Sequence, residues 1–453
     1  MKPKVLFFSR SFLVKYFSEF KSDFFESFHV VLTVEERIEL EKKGFHVYGC
    51  FEEEYDKLNI SQIKGNYLKT SFVSDRFLQR FNLEKRLEIL GKEITFWRNL
   101  LETLKPDYLF NETVAIEIAE VMAIEAERLQ IPFFTSLLGF LPYTFYWKPN
   151  PFHGSLYNLS NIAPNEDNIL KAKEYYCEVL VNNFKPFYVQ DFINSSNFSL
   201  KNLLSSLFKD TSLYFKKIQF KRIKYFKYED DYSFLPYHNT KRILNRLRYN
   251  YNNLTELNEK HLVFYPLHFE PEATLNYFAE ENQNQVSTIE LIIRTLKPYQ
   301  YLVIKEHPQQ KGELLSNRFR DLKKKFSNII YLPAEVNSQD IIKKSEAIIT
   351  LTSTAAWEAI IFGKPVFVLG KIFYDQCTGV IKIESYNQLK EEIRKEEYVY
   401  PIKEEVILFI AKMISIFHKG CPTPDAKCDL HQNAFDYFVA IEELIENRLN
   451  KNE

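Results

Sequence analysis

The sequence predicts an α/β protein with two Rossmann-like domains, a helical middle segment and a helical C-terminal tail. Three observations lead there. Short apolar runs alternate with helix-forming segments in the first third of the chain, the alternation stops at about residue 155, and it resumes from His261. Such alternation favours a parallel sheet, because each strand must return through a crossover, usually a helix, before pairing with its neighbour. The expected divisions are 1–155, an N-terminal Rossmann-like domain; 156–255, a helical connection; 256–385, a second Rossmann-like domain; and 386–453, C-terminal helices.

The elements follow in order. "KVLFFS" (4–9), "FHVVLTV" (28–34) and "FHVYGCF" (45–51) read as short buried strands, separated by segments such as "EERIELEKKG" that carry helix formers and end in glycine. A long helical stretch is expected from about Asp75 to Leu104, then a strand at "DYLFNE" (107–112), a helix at 115–130 and a strand at "IPFFTS" (131–136). In the second domain, strands are expected at 261–267, 301–308, 328–333, 347–352 and 365–370. Helices are expected near 286–296, 313–326, 338–344 and 354–362. Two such sheets predict a cleft at their strand ends, where ligands of open α/β sheets bind.

Composition excludes several classes. A formal charge of -1 argues against nucleic acid as a partner, and 16% aromatic residues argue against a disordered chain. The first residues, "MKPKVLFFSRSF", read as an opening strand rather than a signal peptide, and no apolar run reaches the roughly 18 residues of a membrane helix. The expected location is the cytoplasm. Five cysteines in 453 residues fit a reducing compartment. His418, Cys421, Cys428 and His431 are zinc-ligand types, but six residues with two prolines separate the cysteines, a poor match to paired metal ligands. No metal is expected there. The segment Tyr214 to Tyr228 holds six Lys and Arg residues among aromatics, which suits a solvated helix or, alternatively, an anionic membrane surface at the inner face of the cytoplasmic membrane.

The chain has eleven glycines and lacks the glycine-rich dinucleotide fingerprint, the P-loop and the nucleophile elbow of hydrolases. The stretch "LTSTAAWEAIIFGKPVFVLG" (351–370) carries a different signal. A strand ending near Thr352 delivers Ser353 and Thr354 to a helix start, where unpaired N–H groups and the positive end of the helix dipole suit a phosphate. A plain N-cap role for Ser353 is the competing reading. Glu358 lies one turn further, within reach of ribose hydroxyls, and "KEHP" brings Lys305, Glu306 and His307 to the same sheet edge.

The combination "FYPLHFEPEATL", "IKEHPQ" and "TSTAAWEAIIFGKPVFVLGKIFYD" resembles the bacterial capsule polysaccharide biosynthesis proteins. These are similar to the GT-B glycosyltransferases that use CMP-activated acidic sugars, such as Kdo and sialic-acid transferases. The resemblance covers roughly 260–380, and Ala355 and Ala356 stand where many relatives carry a glycine. It implies a metal-independent transferase with a CMP-sugar as donor substrate, a glycan or glycolipid as acceptor, and no further cofactor. It implies that His307 contacts the nucleotide phosphate, that Ser353 and Thr354 hold it with Lys305 and Thr352 close by, and that Glu358 takes the ribose. A core or capping role for His307 is the alternative.

The acceptor must lose a proton, and the carboxyl ends of strands are where a base belongs. Glu112, ending "DYLFNE", is the first candidate and Glu270 the second. His268 and Glu272, in "LHFEPE", are expected to contact acceptor or donor-sugar hydroxyls. Three other readings remain open from the residues alone: a teichoic-acid-type glycerophosphotransferase, a UDP-sugar epimerase or hydrolase of the same fold, and a non-catalytic scaffold of a capsule assembly complex.

Overall fold

The computed structural model describes residues 2–19, 21–75, 78, 81–149, 159, 161–181, 204–205, 207–208, 211, 238–270, 273–308, 310–422 and 428–450. Glu272 and the Tyr214 to Tyr228 segment lie outside them. The described strands, in chain order, are β1 (Lys4–Phe8), β2 (Glu26–Val31), β3 (Val47–Cys50), β4 (Tyr108–Glu112), β5 (Phe133–Leu138), β6 (Thr144–Pro149), β7 (His261–Pro266), β8 (Gln300–Lys305), β9 (Ile329–Leu332), β10 (Ala347–Thr350), β11 (Val366–Val368), β12 (Val380–Lys382) and β13 (His418–Lys419). They form two sheets, each belonging to its own compact unit.

The first unit holds the described residues up to 149 together with those from Ile416 onward. Its sheet runs β13-β6-β5-β4-β1-β2-β3. The expected strands β1 to β5 are all present and parallel. Two strands were not expected: β6 returns antiparallel to β5, and β13 pairs antiparallel to β6. The tail from 386 therefore does not form a unit of its own, because its last part completes the first sheet. The Leu430–Leu449 helix starts at Asp429, whose carboxylate accepts from Gln432 N–H at 3.0 Å. It buries Ala434, Tyr437, Phe438 and Ile441, a helical stripe, in a core shared with Phe7, Phe17, Phe25 and Trp147. The Phe7 and Phe438 rings stack with centroids 5.8 Å apart.

The opposite face of that sheet is covered by the Leu83–Leu104 and Glu117–Arg128 helices, where Trp97 donates to the Ile118 carbonyl at 2.8 Å. The long helix starts later than the pattern suggested, at the cap Asn82, which accepts from Lys85 N–H at 2.9 Å. Four carboxyl groups are buried between these elements. Asp75 accepts from the N–H groups of Leu78 at 2.8 Å and Glu117 at 3.0 Å, and Glu120 from that of Ser71 at 3.0 Å. The carboxyl of Glu93 is fully buried without a hydrogen-bond partner among the described residues, and that of Glu117 is fully buried beside the Glu120 carboxyl. Burial, reinforced by the neighbouring carboxylates, pushes both well above the usual carboxyl range.

A folded state that keeps these protons while the unfolded chain releases them loses stability as pH rises above the ordinary carboxyl pKa. The slope is about 1.4 kcal/mol per pH unit for each proton retained. Glu93→Gln should raise the chemical-denaturation midpoint at pH 7.5 and flatten its dependence on pH between 5 and 8. An unchanged pH profile would mean that Glu93 ionises freely.

The second unit holds the described residues from 159 to Ser415. Its sheet is parallel throughout, in the order β12-β11-β10-β7-β8-β9. The five expected strands are present, and the three-residue β12 adds an edge. Strands β7, β8 and β10 are almost wholly buried runs, as strands covered on both faces must be. The Lys403–Ile414 helix packs with Glu166–Val181 from the middle of the chain in this same unit.

Candidate functional site

In the second sheet β7, the first strand of the unit, lies between β10 and β8. Strand order therefore reverses between β7 and β10, and the carboxyl edge at such a reversal is where ligands of this architecture bind. The loop after β7 carries His268, Phe269 and Glu270. The turn after β10 carries Thr352 and Ser353, and the end of β8 carries Glu306 and His307.

These residues meet. Thr352 N–H donates to His268 Nε2 at 2.9 Å, a buried bond from the β10 turn to the β7 loop. The rings of Phe269 and His307 lie 5.8 Å apart. Burial pushes the imidazole of His307 down to about 4, helped by Lys305 and Arg242, so it is neutral at ordinary pH. Lys305 is itself buried at the strand end.

The helix Thr354–Ile361 begins directly after this turn. Ser353 is its N-cap: its hydroxyl accepts from Ala355 N–H at 3.2 Å, and its own N–H donates to Thr350 Oγ1 at 3.0 Å. The N-cap reading of Ser353 is thus met, at the helix end that the phosphate reading requires. Tyr374 donates to the Ser353 carbonyl at 2.6 Å, and its ring stacks with Trp357, whose indole N–H donates to Tyr175 at 3.0 Å. Gly370, at the end of β11, is required by close packing: an added Cβ would stand 2.7 Å from the Leu351 carbonyl and 3.0 Å from Thr352 Cγ2. Glu358 is half-buried in the same helix.

Glu306, in contrast, turns into the protein. It is fully buried, accepts from Tyr251 at 3.0 Å, Tyr331 at 3.3 Å and the N–H of Gly312, and pairs with Arg246 at 3.5 Å. Its role is to hold the end of β8. Glu270 also has a holding geometry: its carboxylate accepts from the backbone and side-chain N–H groups of Gln285 at 3.2 and 3.3 Å, and burial pushes its pKa up.

The first sheet has its own reversal, between β1 and β4. Glu112, at the end of β4, is ion-paired there with Arg10, which follows β1. Both side chains are largely buried, at 15% and 8% exposure. Ser11, next in sequence, adopts φ 51° and donates its N–H to Glu36, a carboxylate that also closes the capping box of the Val34–Lys42 helix. Arg10 was missed in the sequence, although "FFSRSF" places it at a strand end by the same rule that selected Glu112. Gln285, Gln310 and Tyr374 were missed too, since only tertiary contact gives them a role.

The cysteine and histidine group near the C-terminus does not converge. His418 faces Glu443 at 3.5 Å, His431 faces Glu19 at 3.7 Å, and Cys421 is buried. Among the described residues, no group of three His, Cys, Asp or Glu could hold a metal ion, and no helix is long and apolar enough to cross a membrane.

Residues 209–407 match the model of the family described as capsule polysaccharide biosynthesis protein, which bears out the resemblance read from the motifs. The capsule polysaccharide export protein KpsS of Escherichia coli is 34% identical over 82 residues, 17% of this chain and 20% of that protein. The match thus spans about a fifth of the curated relative's length. Among solved structures, the beta Kdo 2,7 transferase KpsC of Thermosulfurimonas dismutans is 15% identical, with 80% of this chain and 97% of that chain covered and a TM-score of 0.33. S. aureus MnaA with UDP is 14% identical, with 97% of each chain covered and a TM-score of 0.26. Both structural likenesses are distant, and neither bears on substrate.

Proposed function

We propose, from the match of residues 209–407 to the capsule polysaccharide biosynthesis family and from the second sheet's strand-order reversal, that the protein is a glycosyltransferase of surface polysaccharide synthesis. It moves an acidic sugar of the Kdo or sialic-acid type from a CMP donor to a glycan or glycolipid. The observation that carries this reading is the meeting, at the reversal, of the β7 loop with a hydroxyl turn that opens a helix. Transfer from a CMP-sugar leaves a phosphate that must be stabilised as it departs. The N-terminus of Thr354–Ile361, with Ser353 and Thr354 at its mouth, supplies oriented dipoles, and His307 supplies a hydrogen bond beside Lys305. Thr352 shapes the turn, and Glu358 takes the ribose. The residues themselves then provide the charge stabilisation that a metal gives elsewhere.

The first unit takes the acceptor at its own reversal, with Glu112 as the general base. Glu270, bound to Gln285, keeps a holding role. His268 and Glu272 were assigned to sugar hydroxyls; for His268 the bond to Thr352 supports a different role, argued below. The basic composition of Tyr214 to Tyr228 suits an anionic membrane surface, where a lipid-linked acceptor would lie.

Incubation of the full chain with CMP-Kdo or CMP-sialic acid and a capsule glycolipid acceptor tests the reading: transfer with release of CMP is expected. Transfer from CDP-glycerol instead, or turnover of a UDP-sugar without an acceptor, would replace it. His307→Ala should weaken CMP binding by about 1–3 kcal/mol, the contribution of a hydrogen bond to a charged phosphate, with the thermal midpoint unchanged. Equal affinity by calorimetry would remove His307 from the site.

A further inference from the structure

We infer that His268 is a positioning residue rather than a sugar contact: held by Gln285, it ties the β7 loop to the hydroxyl turn after β10, with Nε2 as acceptor and the ring proton on Nδ1. The last bond between the end of β7 and β8 runs from Leu267 N–H to the Lys305 carbonyl at 3.2 Å, and beyond it two glutamine side chains hold the loop. Gln285 clamps residue 268, its Oε1 accepting from the backbone N–H at 2.6 Å and its Nε2 donating to the carbonyl at 2.9 Å. Gln310 clamps residue 270 in the same two-way fashion, accepting from its N–H at 2.6 Å and donating to its carbonyl. Two side-chain amides thus satisfy both backbone groups of alternate residues, 268 and 270, that no described strand pairs with. Gln285 is fixed in turn by Glu270, whose carboxylate accepts from its backbone N–H.

The backbone of residue 268 is therefore fixed before the ring meets Thr352, and among the described residues the Thr352 bond is the ring's one hydrogen bond, Nδ1 being buried without an acceptor. A backbone N–H can only donate, so the Thr352 bond at 2.9 Å requires a lone pair on Nε2, and a neutral ring then carries its proton on Nδ1. An imidazolium would present N–H groups at both nitrogens and break the bond. His268 is buried and Thr352 nearly so, and burial with His307 close by pushes the ring down to about 3, which keeps the acceptor form. The consequence reaches the site through one residue, because Thr352 directly precedes the cap Ser353. What the turn is held for rests on the proposed donor site; that it is held does not.

Two measurements on the full chain decide this without any ligand. Histidine 15N spectra at neutral pH should show His268 as the Nδ1-protonated tautomer. Amide hydrogen exchange across 351–356 should be faster by about tenfold or more in His268→Leu, where the acceptor is gone. In His268→Gln, a side-chain oxygen takes the place of Nε2, and protection should return. An Nε2-protonated tautomer, or Thr352 protected equally in His268→Leu, would overturn the assignment, and the tautomer alone decides if the leucine variant does not fold. A wild-type chain that bound no CMP but kept this exchange pattern would sink the donor reading and leave the positioning role supported.

Discussion

Replacing Glu112 with Gln should lower sugar transfer by roughly 10²–10⁴-fold, the usual contribution of a positioned general base, while leaving CMP affinity as it is. The carboxylate sits at the carboxyl end of β4, where the first sheet reverses its strand order, and the residues proposed to hold the donor belong to a different sheet. Its ion pair with Arg10 supplies a second, purely structural use for the same group. The two uses separate cleanly. Turnover of the folded variant reports on the base, and any loss of stability reports on the ion pair, because the largely buried Arg10 guanidinium loses Glu112 and keeps only the neighbouring Glu36 carboxylate. Transfer near wild type in Glu112→Gln would remove the base from β4, whereas loss of transfer in Glu270→Gln with CMP affinity kept would place the base in the second unit and loss of both would report its hold on Gln285.

The other large effect concerns stability. Glu306→Leu should destabilise the second unit by about 3–5 kcal/mol in urea unfolding, the cost of breaking a buried, hydrogen-bonded charge cluster. The substitution removes the acceptor shared by Tyr251, Tyr331 and Gly312 and the partner of Arg246. Glu306→Gln keeps a side-chain oxygen for those donors and should lose much less. Equal losses in both variants would mean that the charge, and not the shared acceptor, is what the cluster depends on.

Strands covered on both faces announced themselves. "KVLFF", "HLVFYP" and "AIIT" are uninterrupted apolar runs, and all three lie in the interior of their sheets. The strands that escaped notice are edge strands or near the edge. β12 has three residues and β13 two, too few for any period, and β6 ends in Lys148 and Pro149 and returns antiparallel to β5, outside the parallel alternation that marks the other strands. The return of the C-terminal helix to the first sheet is visible only in hindsight: the stripe of Ala434, Phe438, Ile441 and Ile445 shows an apolar face but not what it covers.

The candidate site was legible where a strand end delivers it. Thr352, Ser353, His307 and Glu112 all lie at or just beyond strand ends, as that rule expects. Glu306 shared the same strand end, and its inward direction depended on Tyr251 and Tyr331, which no spacing could connect to it. The bond that His268 accepts from Thr352 was not legible, because a histidine that receives a backbone N–H and one that meets a sugar look alike in sequence.

The most direct test of the central claim is calorimetric titration of the full chain with CMP, UDP and CDP-glycerol side by side. The account predicts that CMP binds, and that it binds more tightly than UDP, because the site is assigned to a cytidine monophosphate donor. Binding of UDP with no heat from CMP would contradict it, and the strand-order reversal of the second sheet would then serve a different nucleotide.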